Sequence, residues 1–513
     1  MKGVIESENR CVLRNTLFLY GRMFIILLIG LYTSRAILNI LGVSDYGIYN
    51  VVGGVVAMMG FLTASLSGST SRYVTFYIGK GDINDLKIIF GSLYYIHILL
   101  AILIFILGET VGLWFVSTQL NIPIGRENAA FWVYQCAIVS TVVSVLTIPY
   151  TSIIIAHEKM NVFALFSVVE TVLKLIIVLL LPYIVLDRLI TYSFLFLGVV
   201  LVIRIMYCLY SRRHFVESKE RPLFNKNLFK EISIYATWTM TGHLAIMGAT
   251  QGINIILNIF YGTIINAARG IAVQVQNIVM QFCYNFQMAL NPQLTKSYAE
   301  GNITQMHKLL CVGSKFSFYL LMLLMLPLIL ETHQILKIWL GIVPEHAVWF
   351  VRLILCQNLM YALSNPLLIA LQATGNIKKI KLIEGCMLLS VLPIAYIILK
   401  FTIVPPEVVF LIYLIVEIVT QIFRSYTILP IIKMNYIEYI ENVLSPIFKV
   451  LITSILLPII LCLYLEPILS SFFIVCMSCI ISLLLTAYFI GCNTNERKMI
   501  SNKLYKVIYK IFR

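Results

Sequence analysis

The sequence predicts an all-α integral membrane protein of about 14 transmembrane helices. Three observations carry that prediction. Residues with apolar side chains make up 60% of the chain and charged ones only 12%, with a mean hydropathy of +0.92. Apolar runs of about 20 residues or more follow one another almost without pause, the length that crosses a bilayer as a helix. The strict alternation of lipid-facing barrel strands is absent, and in hydrocarbon every backbone amide must be bonded internally, which leaves helices.

Taken in order, the first six spans run over 17–41, 46–72, 86–116, 129–156, 160–184 and 189–211. Leu17 to Leu41 is too long for a signal-peptide core and lacks a small-residue cleavage site. A tight polar corner from Gly42 to Gly47 joins the first two spans, and a polar connector runs from Arg212 to Lys230. Six more spans follow at 231–258, 264–294, 309–331, 347–372, 380–401 and 407–432. A short amphipathic piece, Asn435 to Asn442, leads to a last hairpin at 444–465 and 467–490. The tail beyond Asn493 is basic, with Ile500, Leu504, Ile508 and Ile511 on one side, and is expected to lie on the membrane surface.

The two sets of six spans repeat at an offset near 220 residues. Gly81-Asp82-Ile83-Asn84 after the second span matches Gly301-Asn302-Ile303-Thr304 after the eighth. Asn39-Ile40 matches Asn258-Ile259, and Pro149 lies in the fourth span as Pro366 lies in the tenth. An even number of spans per copy makes this a parallel repeat, two six-helix lobes around a central cavity. The expected organisation is an N-terminal lobe at 1–211, a connector at 212–230, a C-terminal lobe at 231–433, an added hairpin at 434–490 and a basic tail at 491–513.

Charge placement orients the chain. The formal net charge is +15, and most of the lysines and arginines fall in one set of short loops. The alternate loops hold few, such as Arg126, Arg188, Lys337 and Lys400. The bias places both termini and the basic loops in the cytoplasm. The basic excess is thereby accounted for by orientation, with no nucleic-acid partner implied. The 11 cysteines are scattered through apolar segments with no CxxC pair, as small buried hydrophobes would be. No metal-ligand helix, phosphate loop or catalytic triad is present, and every outer loop is too short for a catalytic domain, so neither a cofactor nor enzyme activity is expected.

Candidate functional residues fall into two groups. Gln274, Asn277, Gln281 and Asn285 form a polar stripe on the eighth span, and Gln251 lies on the seventh with Thr237 and Thr241. Carboxamides in a span must face protein or water, either as glue between helices or as the wall of a hydrated cavity suited to hydroxyl-rich sugars. The second group is cationic. Arg22, Arg35 and Arg269 sit inside spans, and Arg72 ends the second span on the basic side, within snorkelling reach of the surface, as is Arg204. Buried acids are scarcer: Glu170, four residues before Lys174 and expected to pair with it, and Glu417. A surplus of buried cations points to an anionic cargo, and guanidinium suits phosphate because it donates two parallel hydrogen bonds and stays charged.

The opening stretch, with Ser34-Arg35, Asn39 to Gly42, Asp45-Tyr46-Gly47 and Asn50-Val51-Val52-Gly53-Gly54, resembles bacterial polysaccharide-biosynthesis flippases. These belong to the multidrug/oligosaccharidyl-lipid/polysaccharide exporter (MOP) superfamily. The resemblance implies export of an undecaprenyl-diphosphate-linked O-antigen or capsular repeat unit to the outer leaflet by alternating access. It also implies cavity cations on the first helix, a role Arg22 and Arg35 can take. The partners expected are the lipid-linked oligosaccharide, membrane lipids and a coupling ion, H+ or Na+. The chain is expected to act as a monomer, with glycan polymerase machinery as a possible associate. Two rival readings stand beside this one: a multidrug or organic-cation antiporter of the same superfamily, which needs buried carboxylates, and a membrane glycan polymerase or ligase, which needs a large outer loop.

Overall fold

The computed structural model describes residues 2–57, 60–118, 122, 125–219, 225–261, 263–340, 343–465, 469–494, 496–498 and 501. Most of the surface tail at 491–513 therefore lies outside the described residues, as does 220–224 of the connector. The protein is all-α and multi-pass. Its helices are α1 Lys2–Ala57, α2 Gly60–Lys80, α3 Ile83–Thr118, α4 Glu127–Ala156, α5 Met160–Leu180, α6 Arg188–His214, α7 Lys226–Tyr261 and α8 Thr263–Ala299. They continue as α9 Ile303–Leu330, α10 Thr332–Leu340, α11 Ala347–Thr374, α12 Lys378–Phe401, α13 Glu407–Ile431, α14 Tyr436–Tyr464 and α15 Ser470–Gly491.

Among the described residues, 11 helices are long and apolar enough to cross a membrane. The remaining three expected spans correspond to the start of α1, where Asn15–Gly30 is a shorter apolar helix, and to α2 and α8. Helix α8 is long enough at 37 residues, but its arginine and its run of carboxamides make it more polar than its neighbours.

Helix α1 is interrupted at Gly42, whose φ of 82° and ψ of 167° break the hydrogen-bond ladder at the expected corner. A side chain would be strained there, and glycine is not. Beyond the corner, helix covers the expected span at 46–72 up to Ala57 and again from Gly60, residues 58 and 59 lying outside the described ones, and α2 continues past 72 to Lys80. The connector also shrinks, because α6 continues to His214, a short 3-10 turn follows at Val216–Ser218, and α7 starts at Lys226.

The repeat is written in the turns. Gly81 and Gly301 have φ of 78° and 77°, each two residues before the start of a helix, α3 at Ile83 and α9 at Ile303. Gly125 (φ 83°) and His346 (φ 66°) stand before α4 and α11. Glu158 (φ 58°) and Gly375 (φ 82°) follow the ends of those two helices. Left-handed backbone at matching places ends matching helices, as the shared spacing of Pro149 and Pro366 inside α4 and α11 also requires.

Packing divides the chain into two compact units, Met1–Leu244 with Met288–Asn302, and Ala245–Gln287 with Ile303–Arg513. In the first unit α4 packs on α2, α3 and α6, and α1 packs on α5. Ile48, Val52, Val56, Ala130, Val133, Tyr134, Ile138 and Leu189 form one of its buried clusters. A second cluster, Leu19, Met160 and Ala289, ties the last turns of α8 to α1 and α5. In the second unit α11 packs between α9 and α13, and α14 and α15 form the added hairpin. Beyond α15 the chain is anchored by Lys315 Nζ, which donates to Glu496 Oε2 at 2.7 Å from a side chain only 1% exposed.

Candidate functional site

Arg22 lies about five residues into the apolar part of α1. Its guanidinium sits 4.6 Å from the ring centroid of Phe163, near the start of α5. The Nε and Nη1 atoms are buried and have no hydrogen-bond partner. A buried charged donor without an acceptor costs on the order of 1–3 kcal/mol or more. The nearest candidate counter-ion on α5, Glu170, is engaged as its spacing predicts: Lys174 Nζ donates to Glu170 Oε1 at 2.6 Å. Among the described residues Arg22 has no ion-pair partner.

Arg72 departs from its expected place. Helix α2 continues to Lys80, so Arg72 lies two turns before the end rather than at it. Its guanidinium packs over the rings of Tyr73 and Tyr235 at 4.5 and 4.9 Å and over Phe76 at 5.4 Å. The aromatic sleeve is completed by Tyr73, whose hydroxyl donates to Glu231 at 3.1 Å. Arg204 bonds inward, with Nη1 donating to the carbonyl of Val143 on α4 at 3.3 Å. Arg269 donates from Nη2 to the carbonyl of Thr250 at 2.8 Å, linking α8 to α7, while its buried Nε has no partner. Arg35 is on α1, and its side chain lies outside the described residues. Arg22 and Arg72 belong to the first unit and Arg269 to the second.

The carboxamides of α8 divide between two faces. Gln274, Asn277 and Gln281 are exposed, Asn285 is half-buried and donates to the carbonyl of Gln281 at 2.8 Å, and Gln251 on α7 is exposed. Among the described residues none of Gln251, Gln274, Asn277 and Gln281 bonds to another helix. The glue between helices comes from residues the sequence reading passed over. Gln276 donates to Asn358 at 2.8 Å, Asn365 donates to Gln287 at 2.8 Å, and Gln287 donates to Ser317 at 3.1 Å. The signal available was the pair Asn358 and Asn365, two turns apart on one face of α11.

The buried acids of the second unit are neutralised. Arg424 on α13 donates from Nε and Nη2 to Glu384 Oε1 at 2.9 and 2.6 Å, and from Nη1 to Glu417 Oε1 at 2.6 Å. Lys381 donates to the other oxygen of Glu384 at 3.1 Å. Two cations face two anions, Arg424, Glu384 and Glu417 buried and Lys381 half-buried, so the cluster carries no net charge. It is a closed set of ion pairs, with neither carboxylate left free for a cationic ligand.

No family model matches the sequence, and no curated protein matches it. Solved structures match in fold. A multidrug-resistance MATE family transporter of the MOP superfamily, in an outward-facing conformation, superposes with a TM-score of 0.72 at 14% identity, over 83% of this chain and 96% of that one. A MATE transporter in a bent conformation gives 0.71 at 15% identity with the same coverage of both chains. A MOP superfamily transporter from Pyrococcus furiosus, whose binding pocket is described as reversed in polarity with a different function suggested, gives 0.69 at 14% over the same shares. The chain therefore has the MATE/MOP fold.

Proposed function

We propose that this protein is a membrane transporter that carries an anionic, lipid-linked oligosaccharide across the bacterial inner membrane. The cargo class is an undecaprenyl-diphosphate-linked O-antigen or capsular repeat unit, moved from the cytoplasmic to the outer leaflet by alternating access, with H+ or Na+ as coupling ion. Both termini are cytoplasmic in this reading, from the loop distribution of lysine and arginine. The observation that carries it is Arg22, a guanidinium inside the first span with two buried donors unpartnered. A diphosphate supplies acceptors in the geometry a guanidinium fork prefers. Arg72 and Arg35 lie in the same unit as Arg22 and are further cations for the head group, and in the second unit Arg269 is a candidate cation by itself. Gln251, Gln274, Asn277, Gln281 and Asn285 supply amide donors and acceptors for sugar hydroxyls. In cells lacking the native gene, Arg22→Ala is expected to reduce surface glycan by roughly tenfold or more, from loss of about 1.5–3 kcal/mol of charge-assisted bonding, and Arg22→Lys to recover part of it. Normal glycan from both variants at matched expression would sink the reading.

A second reading is favoured by the structural neighbours, which are named as multidrug transporters and support an organic-cation antiporter at least as well as a flippase. What weighs against it is that Glu170, Glu384 and Glu417 are each held by a lysine or arginine. Resistance to cationic dyes on expression, lost in Glu417→Gln, would establish the antiporter instead.

A further inference from the structure

We propose a separate saccharide site in the first unit: the groove between α2 and α4 receives the uncharged sugar portion of the cargo. This rests on the carrier reading above. The groove has a volume of about 420 Å3, within the range of about 300–1,000 Å3 typical of small-molecule sites. Thr63 and Ser67 of α2 and Thr141 and Ser144 of α4 line it, with Gly60 and Ala64 giving it room. Ser144 is 12 residues from Ala156 at the end of its helix, about 18 Å at ~1.5 Å per residue, so the groove is deep in the span.

The lining chemistry selects the ligand. Among the described residues no charged side chain borders the groove, so a diphosphate or an organic cation would lose its hydration there without a counter-charge. Thr63 donates its hydroxyl to the carbonyl of Gly60 at 2.8 Å, Thr141 to that of Ala137 at 2.9 Å, and Ser144 to that of Ser140 at 2.8 Å. Their protons are committed to their own helices, while each oxygen keeps lone pairs turned outward. The groove thus offers acceptors without charge, which suits a neutral ligand rich in O–H donors. Val56 and Ile148 add apolar surface for the C–H face of a sugar ring.

Small hydroxyl residues also serve close helix packing, and α2 packs on α4, but beside Gly60 the two helices leave a gap. A Cβ built on Gly60 would meet nothing within 4 Å, whereas glycines at true helix crossings meet a neighbour, as Gly252 meets Leu392 at 2.5 Å. Ser144 and Ala64 are exposed. The space is left open.

The test uses the purified full-length protein in phosphatidylethanolamine/phosphatidylglycerol nanodiscs. Three probes are titrated: undecaprenyl diphosphate, the same lipid carrying a neutral trisaccharide, and diglucosyl diacylglycerol. Ser144→Phe fills the groove and Thr141→Val removes an acceptor at constant shape. Both are expected to weaken binding of the glycosylated diphosphate severalfold or more and leave the sugarless diphosphate unchanged, which also shows that the variants fold. Arg22→Ala is expected to weaken both diphosphates. Wild-type affinity of both groove variants for the glycosylated lipid, with Arg22→Ala still impaired, would overturn the groove alone. Failure of the wild type to bind either diphosphate would remove the carrier reading and the groove with it. Equal competition by diglucosyl diacylglycerol would make the groove a lipid-headgroup site and overturn its assignment to cargo.

Discussion

Gly79 at the end of α2 and Ala299 at the end of α8 occupy equivalent places in the two repeats and touch each other. A Cβ on Gly79 would fall 2.7 Å from the Cβ of Ala299 and 2.9 Å from the carbonyl oxygen of Lys296, too close for any residue larger than glycine. Next to this contact Phe76 lies 6.4 Å from Tyr298 between ring centroids, and almost three turns back along α2 Ser69 bonds to Thr239 of α7 at 3.1 Å. The last turns of α8 are part of the first unit, sealed there by Leu19, Met160 and Ala289 and by Gln293, which donates to Glu158 at 2.9 Å.

On the carrier reading proposed above, such helix ends must part to admit cargo from their side, and the glycine sets how tightly they close. Gly79→Leu is expected to wedge them open. With Ser297, which is 6% exposed, replaced by cysteine as a reporter, a membrane-impermeant maleimide should label the Gly79→Leu protein severalfold faster than the S297C parent. Equal labelling would show that the ends already separate freely.

Phe163 makes a distinct prediction about Arg22. The ring holds the guanidinium at 4.6 Å, an interaction worth about 0.5–2 kcal/mol. Phe163→Leu keeps apolar cover but removes the π face, so affinity for undecaprenyl diphosphate should fall by roughly 2–30-fold. Phe163→Tyr should restore it. An unchanged affinity in Phe163→Leu would mean that the ring packs against Arg22 without supporting its charge.

Span positions and the internal repeat were legible because they depend on hydropathy and on turn residues, which are local. The Gly42 corner, Glu170 with Lys174, and the matched prolines are all of this kind. Arg424 falls inside an apolar run of the sequence, but its partner Glu384 lies 40 residues away on α12 and only packing brings them together. The same holds for α8: the sequence shows which carboxamides share a stripe, and only its packing on α11 shows that Gln276 and Gln287 serve as glue while Gln274, Asn277 and Gln281 are exposed. Arg72 was misplaced because a run of small and hydroxyl residues, Ser65 to Ser71, reads as a helix end by hydropathy although it continues in a helix.

The Arg424 cluster should behave as a closed unit. Removing the guanidinium in Arg424→Met leaves two buried carboxylates without their shared partner, which costs about 3–5 kcal/mol for a buried pair. The double variant Arg424→Met, Glu417→Gln leaves Glu384 paired with Lys381, removes the orphaned charge and is expected to recover most of the thermal midpoint in detergent. A double variant no more stable than Arg424→Met would show that the loss comes from packing rather than charge.

The last prediction concerns the clamp at the Gly42 corner. Arg126, just before α4, donates from Nε to Asp45 Oδ1 at 2.9 Å, pairs through Nη2 with the other oxygen of Asp45, and pairs through Nη1 with Asp187. Asp187 also caps α6, accepting from the backbone N–H groups of Leu189 and Ile190 at 3.0 and 3.1 Å. Burial opposes ionisation of Asp187, but the Ile190 N–H and the Arg126 guanidinium outweigh it and hold the carboxyl below its ordinary value. Burial likewise opposes the charge on Arg126, and the two carboxylates overcome it and raise its value. A lowered carboxyl stabilises the fold fully above its unfolded value, about pH 4, and the contribution is lost as pH falls through the lower folded value. The thermal midpoint should therefore hold level down to about pH 5 and drop below about pH 4. The groups are a fifth to a third exposed, so solvent screens each pair to about 1 kcal/mol or less. Asp187→Asn should lower the plateau modestly, since asparagine still caps the helix, and should flatten the acid limb. An acid limb as steep in Asp187→Asn as in the parent would assign the drop to other carboxylates.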